Sequence, residues 1–192
     1  MNFRVWRRNG AVNEMSTFLD LVKKRRSIRK YTSDPVPREM IETCIEAARH
    51  APSASNTQGW RFYVTEGDLK DRLVKVGLGG VIVPNAFALA APVIVVLAME
   101  LSVVTHRLGA GLKSIDYHLI DAGIAGEHFI LQAAELGLGT CWIGWFNKKA
   151  VRSLLGIPSS WDIPALITLG FPAEEPKPKE RRPASEICVF RR

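Results

Sequence analysis

Arg25-Arg26-Ser27-Ile28-Arg29 sets three guanidiniums and a hydroxyl within one short stretch. A guanidinium is a planar fork of donors that matches phosphate oxygens, which a hydrated ammonium recognises less specifically. The stretch suits a phosphate; its plainer reading is a solvated basic helix end. Further on comes the polar loop Pro52-Ser53-Ala54-Ser55-Asn56-Thr57-Gln58-Gly59. Asn and Gln amides pair donor with acceptor, so they can read the edge of a heterocyclic ring. A simple polar turn is the alternative. Near the other end, Lys177–Arg182 (KPKERR) adds four cations, with a solvated tail as its plainer reading.

Other familiar chemistries leave no trace in the sequence. There is no GxxxxGK[ST] phosphate loop, no GxGxxG after a strand, no HExxH and no GxSxG. His50, His106, His118 and His128 lack metal-ligand spacing, so no metal site is expected. Glu127 and His128 are helix neighbours that point in different directions, not a ready acid–base pair. Cys44, Cys141 and Cys188 are odd in number and lack CxxC spacing. Cys44 and Cys141 read as small buried hydrophobes, and a reducing cytoplasm is the expected location.

Charge is placed unevenly. The 192 residues carry a formal net charge of +7. Residues 1–30 and 176–192 hold 15 of the 26 Lys+Arg and only 4 of the 19 Asp+Glu. Two distant segments therefore carry the whole surplus, and they make one anion site if they meet in the fold. An apolar content of 47% and a charged content of 23% are ordinary for a globular chain. The uncharged stretch 76–99 is broken by Gly77, Gly79, Gly80, Pro84, Asn85 and Pro92, so it does not read as a membrane span.

The elements that must position these motifs follow from periodicity. Thr17–Arg25 reads as an amphipathic helix with cations at its end. Pro37–His50 is a second helix, with a stripe of Met40, Ile41, Cys44, Ile45 and Ala48. Trp60–Thr65 is a strand, and Asp68–Val76 a helix capped by Asp68. A loop or short helix runs to Ala91, followed by a strand at Pro92–Met99 buried on both faces. Residues 100–113 form a connection to the long helix Asp116–Leu136. Ala122, Gly123, Ala125 and Gly126 on that helix predict close approach of another helix or chain. Cys141–Phe146 is a strand running into a turn, Lys148–Leu155 a helix and Ala165–Phe171 the last core strand. The tail 172–192 is Pro-rich and basic, and its apolar Ile187–Phe190 is expected to add an edge strand to this chain or a partner. Without strict βαβ alternation, this order predicts an α+β fold with helices covering a mixed or antiparallel sheet. Residues 1–15 read as an N-terminal extension before a natural-looking start at Met15, and 16–192 as a single domain with a basic tail.

In order and spacing these motifs resemble the FMN-dependent nitroreductase family over about residues 16–190. The carriers are Arg25–Arg29, Ala51–Gln58, the segment Gly137–Phe146 (GLGTCWIGWF), and Lys179-Glu180-Arg181 before Pro183. The resemblance implies a layered α+β homodimer with FMN at the subunit interface. It implies that Arg25, Arg26, Ser27 and Arg29 hold the phosphate, ribityl and pyrimidine side of FMN, with Lys179 and Arg181 closing on the phosphate. It sends Pro52, Ser53, Asn56 and Gln58 to the flavin of the other subunit, and sets Ile143-Gly144 against the ring with the Gly144 N–H near flavin N5. It also implies ping-pong hydride transfer from NAD(P)H through flavin N5 to a small acceptor such as a nitroaromatic, quinone or enone. The flavin carries that chemistry, so no side-chain catalyst is required.

The connection before residue 116 is shorter than in larger members of the family, which implies a more open site. Phe87, Trp142, Trp145 and the 100–113 segment are candidate walls for the acceptor, their plainer reading being core. Three rival readings stand. One is a member that fragments its own reduced flavin, and another binds flavin without turnover. The third, of a different class, is a basic nucleic-acid-binding module in which Phe3, Trp6 and Tyr31 interleave with Arg.

Overall fold

Val93–Met99 are all buried, and a strand apolar on both faces must lie between two layers. The computed structural model, which describes residues 18–79, 85–101 and 116–191, places that strand inside a four-stranded sheet. In chain order the described elements are α1 (Phe18–Lys24), α2 (Arg38–Arg49), a 3₁₀ turn (Ala54–Asn56), β1 (Trp60–Glu66), α3 (Gly67–Leu78) and a second 3₁₀ turn (Ala86–Ala90). Then come β2 (Val93–Glu100), α4 (Tyr117–Glu135), β3 (Gly139–Ile143), α5 (Lys148–Leu155), β4 (Trp161–Gly170) and α6 (Ala184–Ile187). The sheet order is β1-β2-β4-β3, and every pairing between these strands is antiparallel.

The alternation of side chains along β2 builds the two layers. Val93 and Val95 join Met40, Ile41, Cys44 and Ala48 of α2 and Phe129, Ile130 and Ala133 of α4. Ile94, Val96 and Ala98 face the other way, onto Leu73 and Val74 of α3 and Val151 of α5. The fold is thus α+β, a sheet between helical layers, as the element order predicts. Burial pushes the Cys44 thiol up to about 12, in keeping with a cysteine that acts as a small hydrophobe. Among the described residues, no helix is long and apolar enough to cross a membrane.

Several local expectations are corrected. Asp68 does not cap α3: the helix begins at Gly67 with Glu66 as its N-cap, and no side chain bonds the cap. β4 begins at Trp161, four residues before the predicted Ala165. Pro164 has no N–H and so argues against a strand interior; the chain absorbs it near the register shift between Leu97 and Met99. Ile187–Phe190 adds no edge strand to this chain; the tail makes the short helix α6 instead. α4 packs on α2, as expected, and at Gly126 it also meets the sheet, where a Cβ would lie 2.3 Å from the Trp142 ring. The predicted connection 100–113 and the extension 1–15 lie largely or wholly outside the described residues.

Candidate functional site

The first motif leaves α1 and lies along the sheet edge. Ser27 bridges Thr140 of β3, and Ile28 N donates to Thr140 O at 2.8 Å. Gly139 makes this approach possible: a Cβ there would sit 2.8 Å from three side-chain carbons of Ile28. The same segment then pairs with the chain leaving β4. Thr32 N donates to Phe171 O, and Ala173 N to Lys30 O, each at 2.9 Å. Glu174 Oε1 accepts from Arg29 N at 2.7 Å and Lys30 N at 3.1 Å. The first basic segment is therefore held beside the chain just before the basic tail.

Charges from both segments act on Cys141 of β3. Burial pushes its thiol above the ordinary value, while the Arg29 and Lys179 charges and a hydrogen bond with Ser27 pull the other way. Ser27 thus lies against β3, with the Arg29 and Lys179 charges within electrostatic reach of Cys141. The Arg29 guanidinium also lies over the Phe87 ring, 5.6 Å from its centre. Tyr31 Oη donates to Ile28 O at 2.5 Å and shares a 2.6 Å bond with Thr168 Oγ1. The Thr168 hydroxyl in turn accepts from Cys141 N at 3.1 Å. Burial raises the Tyr31 phenol well above its usual value, so it stays a neutral strut.

Not every predicted residue acts on Cys141. Arg26 turns back, its guanidinium donating to the carbonyls of Lys23 and Arg25. It lines a cleft with Asp20, Lys24, Glu174 and Glu175. Its Nε is buried without a hydrogen-bond partner among the described residues. Arg25 donates its backbone N–H to Leu21 O, closing α1. Arg181 bonds only locally, to Glu180 O at 3.4 Å. Ile143 is buried in the core with Val96 and Val151, so its side chain faces away from solvent. Gly144 is exposed, and among the described residues a Cβ there would meet nothing within 4 Å. Trp145 is exposed, and its carbonyl accepts from Asn85 Nδ2 at 3.2 Å.

The loop 52–58 is attached elsewhere, to α4. Ala54 N donates to Asp121 Oδ1 at 3.0 Å. Within the loop, Gln58 N donates to Ser53 Oγ at 3.0 Å, and Gln58 Nε2 to Asn56 Oδ1 at 3.1 Å. Sequence reasoning missed Asp121 and Glu174. The signal for Asp121 is a lone acid on the buried stripe of α4. Glu174, in a Pro-rich tail, carries no comparable signal.

Among the described residues, no group of three or more His, Cys, Asp or Glu could hold a metal ion. Two cations acting on a sheet edge that carries a hydroxyl, beside exposed backbone, suit a phosphate joined to a flat ring.

Comparison with known proteins gives the same direction. The profile of the Nitroreductase family matches residues 22–171. The chain is 34% identical over 194 residues to a Thermus thermophilus protein named "NADH dehydrogenase", covering 88% of this chain and 93% of that one. It is 32% identical to a "Putative NADH dehydrogenase/NAD(P)H nitroreductase" of Archaeoglobus fulgidus, covering 84% and 88%. Among solved structures, a nitroreductase family protein of Streptococcus pneumoniae superposes with TM-score 0.79 at 27% identity, covering 91% of this chain and all of that one. A Clostridium difficile protein titled "FMN-dependent Nitroreductase" gives 0.75 at 28%, covering 91% and 99%.

Proposed function

The chain belongs to the nitroreductase family, a family of oxidoreductases, and from that premise we propose that it is an FMN-dependent, NAD(P)H-oxidising enzyme that works as a homodimer. The observation that carries this reading is that the charges of Arg29 and Lys179, from opposite ends of the sequence, both act on Cys141, which Ser27 also hydrogen-bonds at the edge of β3. Two cations and a hydroxyl offer the donors a phosphate dianion needs. Exposed Gly144, with no described atom within 4 Å of where a Cβ would be, supports backbone approach to a planar ring.

When bound, FMN supplies the redox chemistry, exchanging hydride first with NAD(P)H and then with a small acceptor such as a nitroaromatic, quinone or enone. The chain's own residues bind and orient. Ser27, Arg29 and Lys179 hold the phosphate, with Arg25 and Arg181 as further donors to it. Arg26, whose buried Nε lacks a partner, completes the ribityl side. The Ile143-Gly144 backbone would face the ring, with the Gly144 N–H as a donor to it. Pro52, Ser53, Asn56 and Gln58, tied to α4 in their own subunit, serve the partner's flavin. The dimer is supported by large apolar side chains left exposed together: Phe18 and Leu19 on α1, Leu119 and Ile120 on α4.

Purified protein incubated with excess FMN and freed of unbound flavin is expected to be yellow. Its absorbance bleaches on anaerobic addition of NADH or NADPH and returns with a quinone or nitroaromatic. Colourless protein that leaves NAD(P)H unoxidised sinks the reading. Loss of intact flavin under air with NAD(P)H would instead mark a flavin-fragmenting member.

A further inference from the structure

The helix that carries the small residues also carries a buried carboxylate. Asp121 is only 4% exposed on α4, next to Ala122 and one turn before Ala125. A carboxylate this deep is unfavourable unless it is hydrogen-bonded. Its Oδ1 accepts from the N–H of Ala54, the first residue of the 3₁₀ turn 54–56. That turn is conformationally demanding. Ser55, Asn56 and Gln58 hold φ of 52°, 53° and 49°, in the left-handed region that residues other than glycine adopt at a cost. Such a conformation persists only where the surroundings over-determine it. Among the described residues, two side-chain hydrogen bonds tie the loop to the body. One is the bond to buried Asp121 at its start; the other is the 3.2 Å bond from the half-exposed Arg61 side chain to Gln58 O at its end.

We propose that Asp121 is the positioning residue of the loop 52–58. Its carboxylate fixes the Ala54 N–H, and so holds Asn56 and Gln58 in their left-handed geometry, and extended Ser53 beside them, where they meet their ligand. A loop ordered before binding loses less entropy on binding, and affinity rises accordingly. The ligand being FMN rests on the function proposed above; the anchoring of the loop does not.

The two parts are tested separately. In flavin-free protein, the Ala54 amide is protected from hydrogen exchange, and Asp121→Ala abolishes that protection. In FMN titrations followed by fluorescence, Asp121→Ala raises the dissociation constant about tenfold or more, as expected for a lost hydrogen bond to a charged group. Asp121→Asn keeps an oxygen acceptor at the same place and stays within about threefold of the parent. A role in stability alone would not produce this rescue of affinity. Ala54→Pro removes the donor instead. Proline is tolerated at the first helical position, and Ser53, at φ −141° and ψ 156°, already has the backbone that precedes a proline. It weakens FMN binding as Asp121→Ala does, and the double variant is no weaker than the worse single one. If Asp121→Ala does not fold, Ala54→Pro carries the same test. The proposal is overturned if the Ala54 amide stays protected in Asp121→Ala, if FMN affinity is unchanged in both donor and acceptor deletions, or if Asn fails as badly as Ala. A parent protein that binds no FMN overturns the flavin reading, while the exchange measurement still decides the anchoring.

Discussion

Arg29 and Lys179 show how two residues 150 positions apart come to share one task. Neither stands out as a surface cation; what links them is that both charges act on one thiol, Cys141. Arg29→Gln or Lys179→Ala is expected to raise the FMN dissociation constant roughly 10-fold, the worth of one charge-assisted hydrogen bond. Equilibrium dialysis or fluorescence titration reads this, and unchanged affinity in both variants would remove the phosphate site from these residues. Gly139 acts at the same scale by being small. Gly139→Ala drives a Cβ into three carbons of Ile28 at 2.8 Å and must push the first motif off β3. Overpacking of this kind costs about 1–3 kcal/mol. Urea unfolding measures the loss, and FMN affinity falls with it because Ser27 moves with Ile28.

At the scale of elements, Asp162 joins three of them. It sits on β4, accepts from Lys148 Nζ of α5 at 2.9 Å and lies 3.6 Å from His118 Nε2 of α4. Burial pushes its carboxyl up. The hydrogen bond from Lys148, a backbone donor at Ile163 and the nearby Lys148 and His118 charges more than offset this and hold it below the usual value. A carboxyl whose folded value is lowered contributes its stability fully above the ordinary carboxylate range of about 4 and loses it as pH falls through the lowered value. Lys148→Ala is therefore expected to flatten the acid limb of the stability–pH curve below about pH 4. At neutral pH it should cost at most about 1 kcal/mol, because the ammonium is half exposed. Chemical denaturation between pH 2 and 7 checks both, and an acid limb identical to the parent's would show that the pair is idle.

At the scale of the whole molecule, the notable feature is apolar surface left exposed among the described residues. Ile187, Val189 and Phe190 in the tail are 72%, 77% and 90% exposed, and α1 and α4 add Phe18, Leu19, Leu119 and Ile120. Isolated exposed hydrophobes are common, but groups of them mark interfaces. The full chain is expected to sediment as a dimer. A version ending at Pro183 should dissociate at concentrations about tenfold higher or more, and lose FMN in step if the site spans two subunits. A monomeric full-length protein in sedimentation equilibrium contradicts the shared site.

The sequence by itself determined what local chemistry can decide. The stripe Met40, Ile41, Cys44, Ala48 and the apolar run to Met99 mark α2 and β2 within a residue or two, because burial demands those periods. The order of the basic, Asn/Gln-rich and Gly-Trp segments was enough to resemble one family. Only the tertiary structure decided which charges meet. Arg26 and Arg29 look alike in the sequence, yet one turns back to its own helix end while the other's charge acts on Cys141, because a segment paired to β3 sends successive side chains to opposite sides. Only the fold shows that Asp121, 67 residues beyond Ala54, holds the loop. Long-range hydrogen bonds of this kind leave no periodic signature: a single buried carboxylate answers to its partner in space, not to its neighbours in the chain.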